Sequence, residues 1–465
     1  MYKGRIFRLP RIAGSEVQRS MAVNIHSFHI KVVKFGGSSL ADAEHVKKVG
    51  AIIRSDPTRL FVVPSAPGKR FSGDTKVTDL LYECYNVSSA GGDLTEIFGR
   101  IEERYNDIIR GLGLSLDLTE EYTHIKWAIA HSAGRDYAAS RGEYLNGLVL
   151  ADYLHYDFID PARFVKFFDD GTFDSETTNT LLSEELKKHD NGVIPGFYGS
   201  MPNGTIRTFS RGGSDVTGSI VARAAEADLY ENWTDVSGFL MADPRIVDHP
   251  QGISFITYRE LRELSYMGAT VLHEDAIFPV RFAGIPINIR NTNAPDDPGT
   301  IILSHTDSYD SNNIITGIAG KKGFCVITIE KAMMNAERGF GRKVLEAIEH
   351  EGISFEHLPS GIDTMSVVLN RSEISECRER IINRICNAVE PDAISVEEGL
   401  ALIAVVGRGM IKSKGTAVRV FKAVADAGIN IRMIDQGSSE LNIIIGVDEG
   451  DFEKAMRAIY AEFVS

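Results

Sequence analysis

Two rhythms of apolar and polar positions alternate along residues 28–300. One is the short apolar run. Ile30, Val32, Val33 and Phe35 form the first, interrupted near its end by Lys34, and further runs lie at 60–64, 193–198, 205–209 and 285–290. The other is a helical period at 77–85, 94–112 and 255–282, and after the Gly-Gly-Ser-Ser at 36–39. Short runs bounded by turn residues predict strands, and the longer period predicts amphipathic helices. Strands alternating with helices predict an α/β fold whose mainly parallel sheet is covered on both faces. The polar, turn-rich stretches 293–300 and 305–313 predict a domain boundary near residue 304.

Beyond that boundary the pattern repeats. Met334, Gly339, Val344, Ala347, Gly352, Ile353 and Gly361 recur as Met410, Gly415, Val420, Ala423, Gly428, Ile429 and Gly437. Every pair has the same offset of 76 residues (410 − 334). A fixed period with identical residues marks a duplicated structural unit. Each unit reads strand, helix, strand, strand, helix. In the first unit the strands fall at 324–329, 353–358 and 364–369, with a helix at 342–348.

Composition narrows the partners. The chain has 465 residues, enough for two or three domains. Lys+Arg is 50 against Asp+Glu 64, a formal net charge of -14, which disfavours nucleic acid and membrane surfaces. No apolar run is long enough for a transmembrane helix. Cys84, Cys325, Cys377 and Cys386 show no C-x-x-C spacing, as expected of reduced thiols in a cytoplasm with neither a disulfide framework nor a zinc site. Residues 1–27 carry Lys3, Arg5, Arg8, Arg11 and Arg19 against the single acid Glu16. A transit peptide is one reading, and a disordered extension is the expectation.

The candidate chemistry starts at Lys34. A strand feeding a Gly-Gly turn and then a helix presents unpaired N–H groups, and glycines let the backbone approach a ligand. With the Lys34 ammonium this outlines a phosphate site. Neither the P-loop pattern nor G-x-G-x-x-G occurs, and a lone Gly-Gly turn is often plain architecture. At 210–215 glycines again open a helix, now beside Arg211, Ser214 and Asp215. An Arg there suits bidentate capture of a carboxylate, whereas Ser214 and Asp215 alone would serve as caps.

Taken together, KFGGSS at 34–39, SRGE at 140–143, SRGGSD at 210–215, and WTDVSG with ADPRIV across 233–247 resemble the aspartate kinases of the amino-acid-kinase superfamily. The resemblance runs from about residue 28 to the C-terminus. The paired units are similar to ACT domains, ligand-sensing modules of amino-acid biosynthesis, although such a pair can also be purely a dimerisation device. The implied architecture is an αβα kinase domain at 28–304, a linker at 305–320, and α+β ferredoxin-like ACT domains at 321–400 and 401–465. An ACT domain is βαββαβ and needs a closing strand. Residues 393–397 serve the first unit. None remain after the last helix of the second, so 314–319 is expected to close it, with the first unit inserted in the second. Fusion to homoserine dehydrogenase is not expected at this length.

The resemblance implies transfer of the γ-phosphoryl of ATP, with Mg²⁺, to the β-carboxylate of L-aspartate. That nucleophile is already ionised, so positive charge and oriented donors are the needed parts. Lys34 would span the transferring group and Asp215 would orient Lys34 or the substrate amine. Gly36, Gly37 and Ser38 would donate to phosphate oxygens, and Ser65 and Thr78 would help hold phosphate and substrate. Glu143 would pair with the substrate ammonium. Arg211, assisted by Ser214, would clamp a carboxylate, and Phe197 would wall the aspartate pocket. Thr234, Asp235 and Arg245 match the nucleotide segment. Thr270 and Leu240 depart from the Lys and Tyr of many relatives on the adenine side. Feedback by lysine rather than threonine is expected at Met334, Gly339, Ser354 and Glu356, in a homodimer or dimer of dimers joined through the ACT units. Two other readings stay open: a kinase of glutamate, N-acetylglutamate or a related acceptor, and a catalytically weak amino-acid sensor on the same scaffold.

Overall fold

The computed structural model describes residues 29–210, 212–269, 274–304 and 313–464. The expected N-terminal extension lies outside the described residues. Among the described residues twelve strands precede residue 304: β1 (Lys31–Phe35), β2 (Arg59–Pro64), β3 (Asp157–Phe158), β4 (Lys166–Phe167), β5 (Phe173–Asp174), β6 (Gly192–Val193), β7 (Tyr198–Ser200), β8 (Ile206–Thr208), β9 (Leu229–Thr234), β10 (Phe255–Thr257), β11 (Ile287–Asn291) and β12 (Thr300–Leu303). Eight form one sheet in the order β10-β12-β11-β9-β1-β2-β6-β3, and β5-β4-β7-β8 form a second. In the large sheet every pair is parallel except β11 with β12.

Alternation along β1 and β2 explains the layers. Successive strand residues face opposite sides. Val32, Phe61 and Val63 pack into one apolar cluster with helices Ser175–Leu186 and Gly213–Ala224. Val33, Phe35 and Val62 pack into another with helices Ala43–Arg54, Val77–Ser89, Thr95–Leu112 and Arg135–Leu154. Lys34 therefore faces the side that carries helix Gly213–Ala224. β1 lies between β2 and β9: the chain fills β2, β3 and β6 on one side of it before it crosses to β9 and β11 on the other. The carboxyl ends of strands at such a switch point are where α/β sheets bind ligands.

The C-terminal part forms one antiparallel sheet from β13 (Gly317–Glu330), β14 (Thr364–Asn370), β15 (Ala393–Val406), β16 (Met433–Asp435) and β17 (Asn442–Asp448), in the order β14-β13-β15-β17-β16. β13 and β15 run through both repeated units. Phe324 to Glu330 pairs with the first half of β15, and Gly317 to Lys321 pairs with Leu402 to Val406. Gly317–Ala319, from the segment expected to close the second unit, thus lies in that unit's sheet and not in the kinase sheet. Helices Phe340–Glu349 and Thr416–Asp426 keep the offset of the repeat. Gly339 and Gly415 precede them at φ 78° and 86°, a conformation that glycine adopts without strain.

Two elements differ from the sequence pattern. Residues 255–257 are strand β10 and not helix, because Thr257 caps helix Tyr258–Tyr266 reciprocally with Glu260 and fixes its start. Residues 353–358 form no strand. The segment keeps only isolated bridges, His357 with Val368 and Ser360 with Met365, and Pro359 between them has no N–H to donate. Among the described residues no helix is long and apolar enough to cross a membrane, and the four cysteines are free.

Candidate active site

Lys34, next to last in β1, has its ammonium 2.5 Å from Oδ1 of Asp215, in the first turn of helix Gly213–Ala224. Asn232 of β9 donates to the same oxygen at 2.8 Å. The three groups come from three elements that meet at the carboxyl end of the sheet. Lys34 is only 7% exposed, so its charge is fixed in direction by this cluster.

The turn after β1 is tighter than the pattern suggested. Gly37–Leu40 is a 3₁₀ turn, and the α-helix starts later, at Ala43. Asp42 caps that helix by accepting the His45 N–H at 3.0 Å. Its own acid thus meets the helix end, and Ser38 of the preceding 3₁₀ turn is exposed. Gly36 N–H is used, donating to Trp233 O at 3.1 Å. Gly37 and Gly68 interlock the loops after β1 and β2. Gly68 N–H donates to Gly37 O at 2.8 Å. A Cβ on Gly37 would stand 2.7 Å from Ala66 O, and one on Gly68 would stand 2.7 Å from Gly37 O.

Ser65 follows β2 and donates its N–H to Phe35 O at 3.1 Å, while its carbonyl accepts from Asn146 Nδ2 at 2.7 Å. Thr78 is second in helix Val77–Ser89, whose start has no side-chain cap. Beneath this loop Glu143 lies inside helix Arg135–Leu154, 5% exposed. Burial pushes its carboxyl up to about 8, against a hydrogen bond from the Ala66 backbone and the nearby Arg141 charge. Glu143 Oε2 has no hydrogen-bond partner among the described residues. A buried carboxylate oxygen left open is costly unless a cation arrives.

Phe197 sits at φ 84°, an unusual backbone for an aromatic residue. Thr217 Oγ1 holds it by accepting its N–H at 2.9 Å. A Cβ on Gly213 would meet the Phe197 ring at 2.4 Å, and one on Gly196 would meet Ser214 Oγ at 2.6 Å. The segment carrying Gly196 and Phe197 and the one carrying Gly213 and Ser214 thus pack directly against each other. Arg211 lies outside the described residues.

The nucleotide candidates divide. Thr234 ends β9, with its hydroxyl on Asp235 Oδ1 at 3.2 Å. Arg245 is exposed and folds back on Asp243 at 2.5 Å. It borders a cavity of about 940 Å³ with Leu240, Met267, Lys321 and Phe452. Thr270 lies outside the described residues. Among those described, no group of three or more His, Cys, Asp or Glu stands ready for a metal.

The effector candidates also divide. Met334 is buried in the first unit's core, and the Asn335 N–H that follows it bonds Ile362 O at the tip of the 356–368 hairpin. Gly339 opens helix Phe340–Glu349 and is exposed, as is Ser354. Glu356 lies at the hairpin's other end, bonded through its N–H to Val368 O. Asn232, Thr217 and Gly68 complete the site and were not singled out by the motifs. The only signal was the polar pair of Glu231 and Asn232 amid the apolar residues Leu229, Tyr230 and Trp233.

The amino acid kinase family model matches residues 29–291, and an ACT domain model matches 403–463. Aspartokinase 3 of Bacillus subtilis is 42% identical over 450 residues, covering 93% of this chain and 98% of that protein. The crystal structure of Clostridium acetobutylicum aspartate kinase superposes with a TM-score of 0.88 at 53% identity, over 93% of this chain and 100% of that one. E. coli aspartokinase III, 25% identical, matches over 94% of this chain and 100% of that one in two complexes. TM-scores are 0.68 with aspartate and ADP (R-state) and 0.70 with lysine and aspartate (T-state). The chain belongs to the aspartate kinases of the amino acid kinase family.

Proposed function

We propose that this chain phosphorylates the β-carboxylate of L-aspartate with Mg-ATP, and that the residues above divide the work as follows. Lys34 neutralises charge on the transferring phosphoryl group, held in line by Asp215 and Asn232. The N–H groups of Gly37 and Ser38, with Thr78 at its helix start, receive phosphate oxygens. Ser65 lines the passage between phosphate and acceptor. Glu143 takes the substrate ammonium, Arg211 and Ser214 take its α-carboxylate, and Phe197 closes the pocket. Thr234, Asp235 and Arg245 belong to the nucleotide side, with Arg245 released from Asp243 when nucleotide binds. Magnesium arrives with the nucleotide. Mg²⁺ ordinarily keeps several waters and is held by phosphates with one or two carboxylates, which suits a site whose described residues form no metal cluster. It would neutralise phosphate charge, and no general base is required.

The open Glu143 oxygen carries this reading. It asks for a free ammonium on the acceptor, which aspartate has and an N-acetylated amino acid lacks. E. coli aspartokinase III holding aspartate and ADP supports the same substrate pair. The test is ADP release with Mg-ATP across L-aspartate, L-glutamate and N-acetyl-L-glutamate. Turnover confined to L-aspartate is expected, and turnover of N-acetylglutamate overturns the assignment.

For regulation, we take residues 314–464 as two interleaved ACT units in a cytoplasmic homodimer, with L-lysine as feedback ligand. The lysine-bound E. coli relative supports that choice. The Met334–Gly339 turn and Ser354 would receive the ligand's carboxylate, with Glu356 acting at the edge of the same unit.

A further inference from the structure

Arg104 belongs to none of the motifs. It projects from helix Thr95–Leu112 and is 4% exposed. Its guanidinium holds four groups on three segments. Nη1 donates to Gly68 O at 3.0 Å and to Ala41 O at 3.4 Å. Nη2 donates to Asp74 Oδ2 at 2.6 Å and to Thr75 O at 3.4 Å. Ala41 directly follows the 3₁₀ turn Gly37–Leu40. Gly68 is the residue whose N–H binds Gly37 O. Asp74 and Thr75 lead into helix Val77–Ser89, which carries Thr78.

We propose that Arg104 is a positioning residue for the nucleotide phosphates. It fixes the separation of the loops after β1 and β2, and with it the direction of the Gly37, Ser38 and Thr78 donors. The inference rests on the phosphoryl-transfer reading above. Gly68 explains why one distant side chain can control the turn: its N–H faces Gly37 while its carbonyl faces Arg104. The peptide chain is thus gripped from two sides, and nothing in the Gly37 turn can shift without straining one grip. Burying a guanidinium is costly, and Asp74 offsets that cost. Arg70 donates to Asp74 as well, and the two arginines hold its carboxyl well below the usual range despite burial. A planar fork is needed here, because two bonds must diverge to Gly68 and Asp74 at fixed angles. An ammonium in its place reaches one of them.

The test uses the full-length protein with Arg104→Lys, Arg104→Gln and Asp74→Asn. Activity is read as ADP release, nucleotide affinity by calorimetry with Mg-ATP in the absence of aspartate, and folding by Tm. For Arg104→Lys we expect a Tm within a few degrees of the parent, at least about 10-fold lower kcat, and at least about 5-fold weaker Mg-ATP binding. KM for aspartate should stay within about 2-fold. Asp74→Asn should weaken Mg-ATP binding in the same direction, and the Arg104→Lys/Asp74→Asn pair should lose less than the product of the two. Unchanged kcat and Mg-ATP affinity in a folded Arg104→Lys overturn the proposal. So does an equal loss for ATP and aspartate, which would mark a purely structural role. If Arg104→Gln does not fold, the other two variants decide. A parent protein that binds Mg-ATP yet does not phosphorylate aspartate would defeat the substrate reading alone, and calorimetry would still judge Arg104.

Discussion

Tyr266, at the end of a kinase helix, donates its hydroxyl proton to Glu356 of the first regulatory unit at 2.5 Å. The same helix, Tyr258–Tyr266, carries two more such contacts. Glu263 accepts from Asn442 of the second unit at 2.6 Å. Glu260 accepts from Arg408 Nη1 at 2.9 Å and from Thr316 Oγ1, in the segment leading to β13, at 2.6 Å. Positions 260, 263 and 266 are three apart and share one helix face. One short helix therefore meets both regulatory units and their connection to the kinase.

Tyr266→Phe should leave basal kcat and both KM values within about 2-fold, since nothing in the candidate active site touches it. The half-inhibitory lysine concentration should move by about 3-fold or more, because a charge-assisted hydrogen bond between the units is gone. Glu356→Gln should act likewise, and the double variant should add little. Inhibition curves identical to the parent would place the coupling elsewhere.

Glu260 is fully buried, and burial alone would raise its pKa. The bonds from Thr316, Thr257 and Arg408 outweigh that and hold it below the usual carboxylate value. A lowered folded pKa stabilises the protein above the ordinary glutamate range, and this stability is lost as pH falls through it. Glu260→Gln leaves Arg408 facing a neutral amide, and about 3 kcal/mol of destabilisation is expected. Thermal unfolding from pH 4 to 7 should show Tm falling towards pH 4 in the parent, with a smaller fall in the variant. Parallel profiles would remove Glu260 as the acid-sensitive group of the joint.

Glu143 has the opposite sign. Its folded pKa of about 8 means that the ligand-free protein holds a proton that the unfolded chain would release above the ordinary range. This contribution to stability is therefore lost as pH rises from there towards 8. If Glu143 takes the substrate ammonium as proposed, aspartate binding reverses the preference, because a positive charge favours the carboxylate. Near pH 7, calorimetry in buffers of different ionisation enthalpy should show up to one proton released per aspartate bound. Affinity should rise with pH until about 8, approaching tenfold per unit at the acid end. Glu143→Gln should bind weakly with no proton release, and an unchanged proton count there would move the ammonium site.

Much of this was legible because the chemistry is local in sequence. Lys34, Gly37, Ser38, Glu143 and Asp215 each sit in a short motif, near a strand end, in a turn, inside a helix or at a helix start. The parts that were not legible arise where distant segments touch. Gly68 matters only because Gly37 approaches it, Asn232 only because helix Gly213–Ala224 packs against β9, and Thr217 only because Phe197 folds over it. The effector set divided for a related reason: the 356–368 hairpin separates Met334 from Glu356, and no periodicity shows a hairpin's length. The α/β alternation is legible in apolar spacing and the 76-residue repeat in identical residues at one offset, whereas the three-residue strand β10 and the bridged segment at 353–358 are too short or too irregular for a period to show.

The interlock of the two glycines gives a steric prediction. Gly37→Ala places a methyl against Ala66 O, and Gly68→Ala places one against Gly37 O. Backbone carbonyls cannot rotate aside as side chains do, so each variant must part the loops. Each should lower kcat/KM for ATP by about 10²-fold with a smaller effect on aspartate, and the pair should be far from additive, since one displacement serves both. Alanine variants with parental kcat/KM would show that the loops are not held together during turnover.

The sharpest ordering concerns Lys34 and Asp215. Lys34→Ala removes the positive charge and leaves the Asp215 carboxylate beside the incoming phosphates, adding repulsion to lost attraction. Asp215→Asn keeps the ammonium but removes its anchor, so the charge survives with a looser direction. Electrostatic stabilisation exceeds orientation when two anions react. Lys34→Ala should therefore lose at least about 10²-fold in kcat, and Asp215→Asn about 10-fold. In the Lys34→Ala background, Asp215→Asn should restore part of the loss by removing the uncompensated charge. Steady-state ADP release on the three variants decides it. A double variant slower than Lys34→Ala would assign Asp215 a direct contact with substrate beyond holding Lys34, and near-parental kcat in Lys34→Ala would remove Lys34 from the reaction.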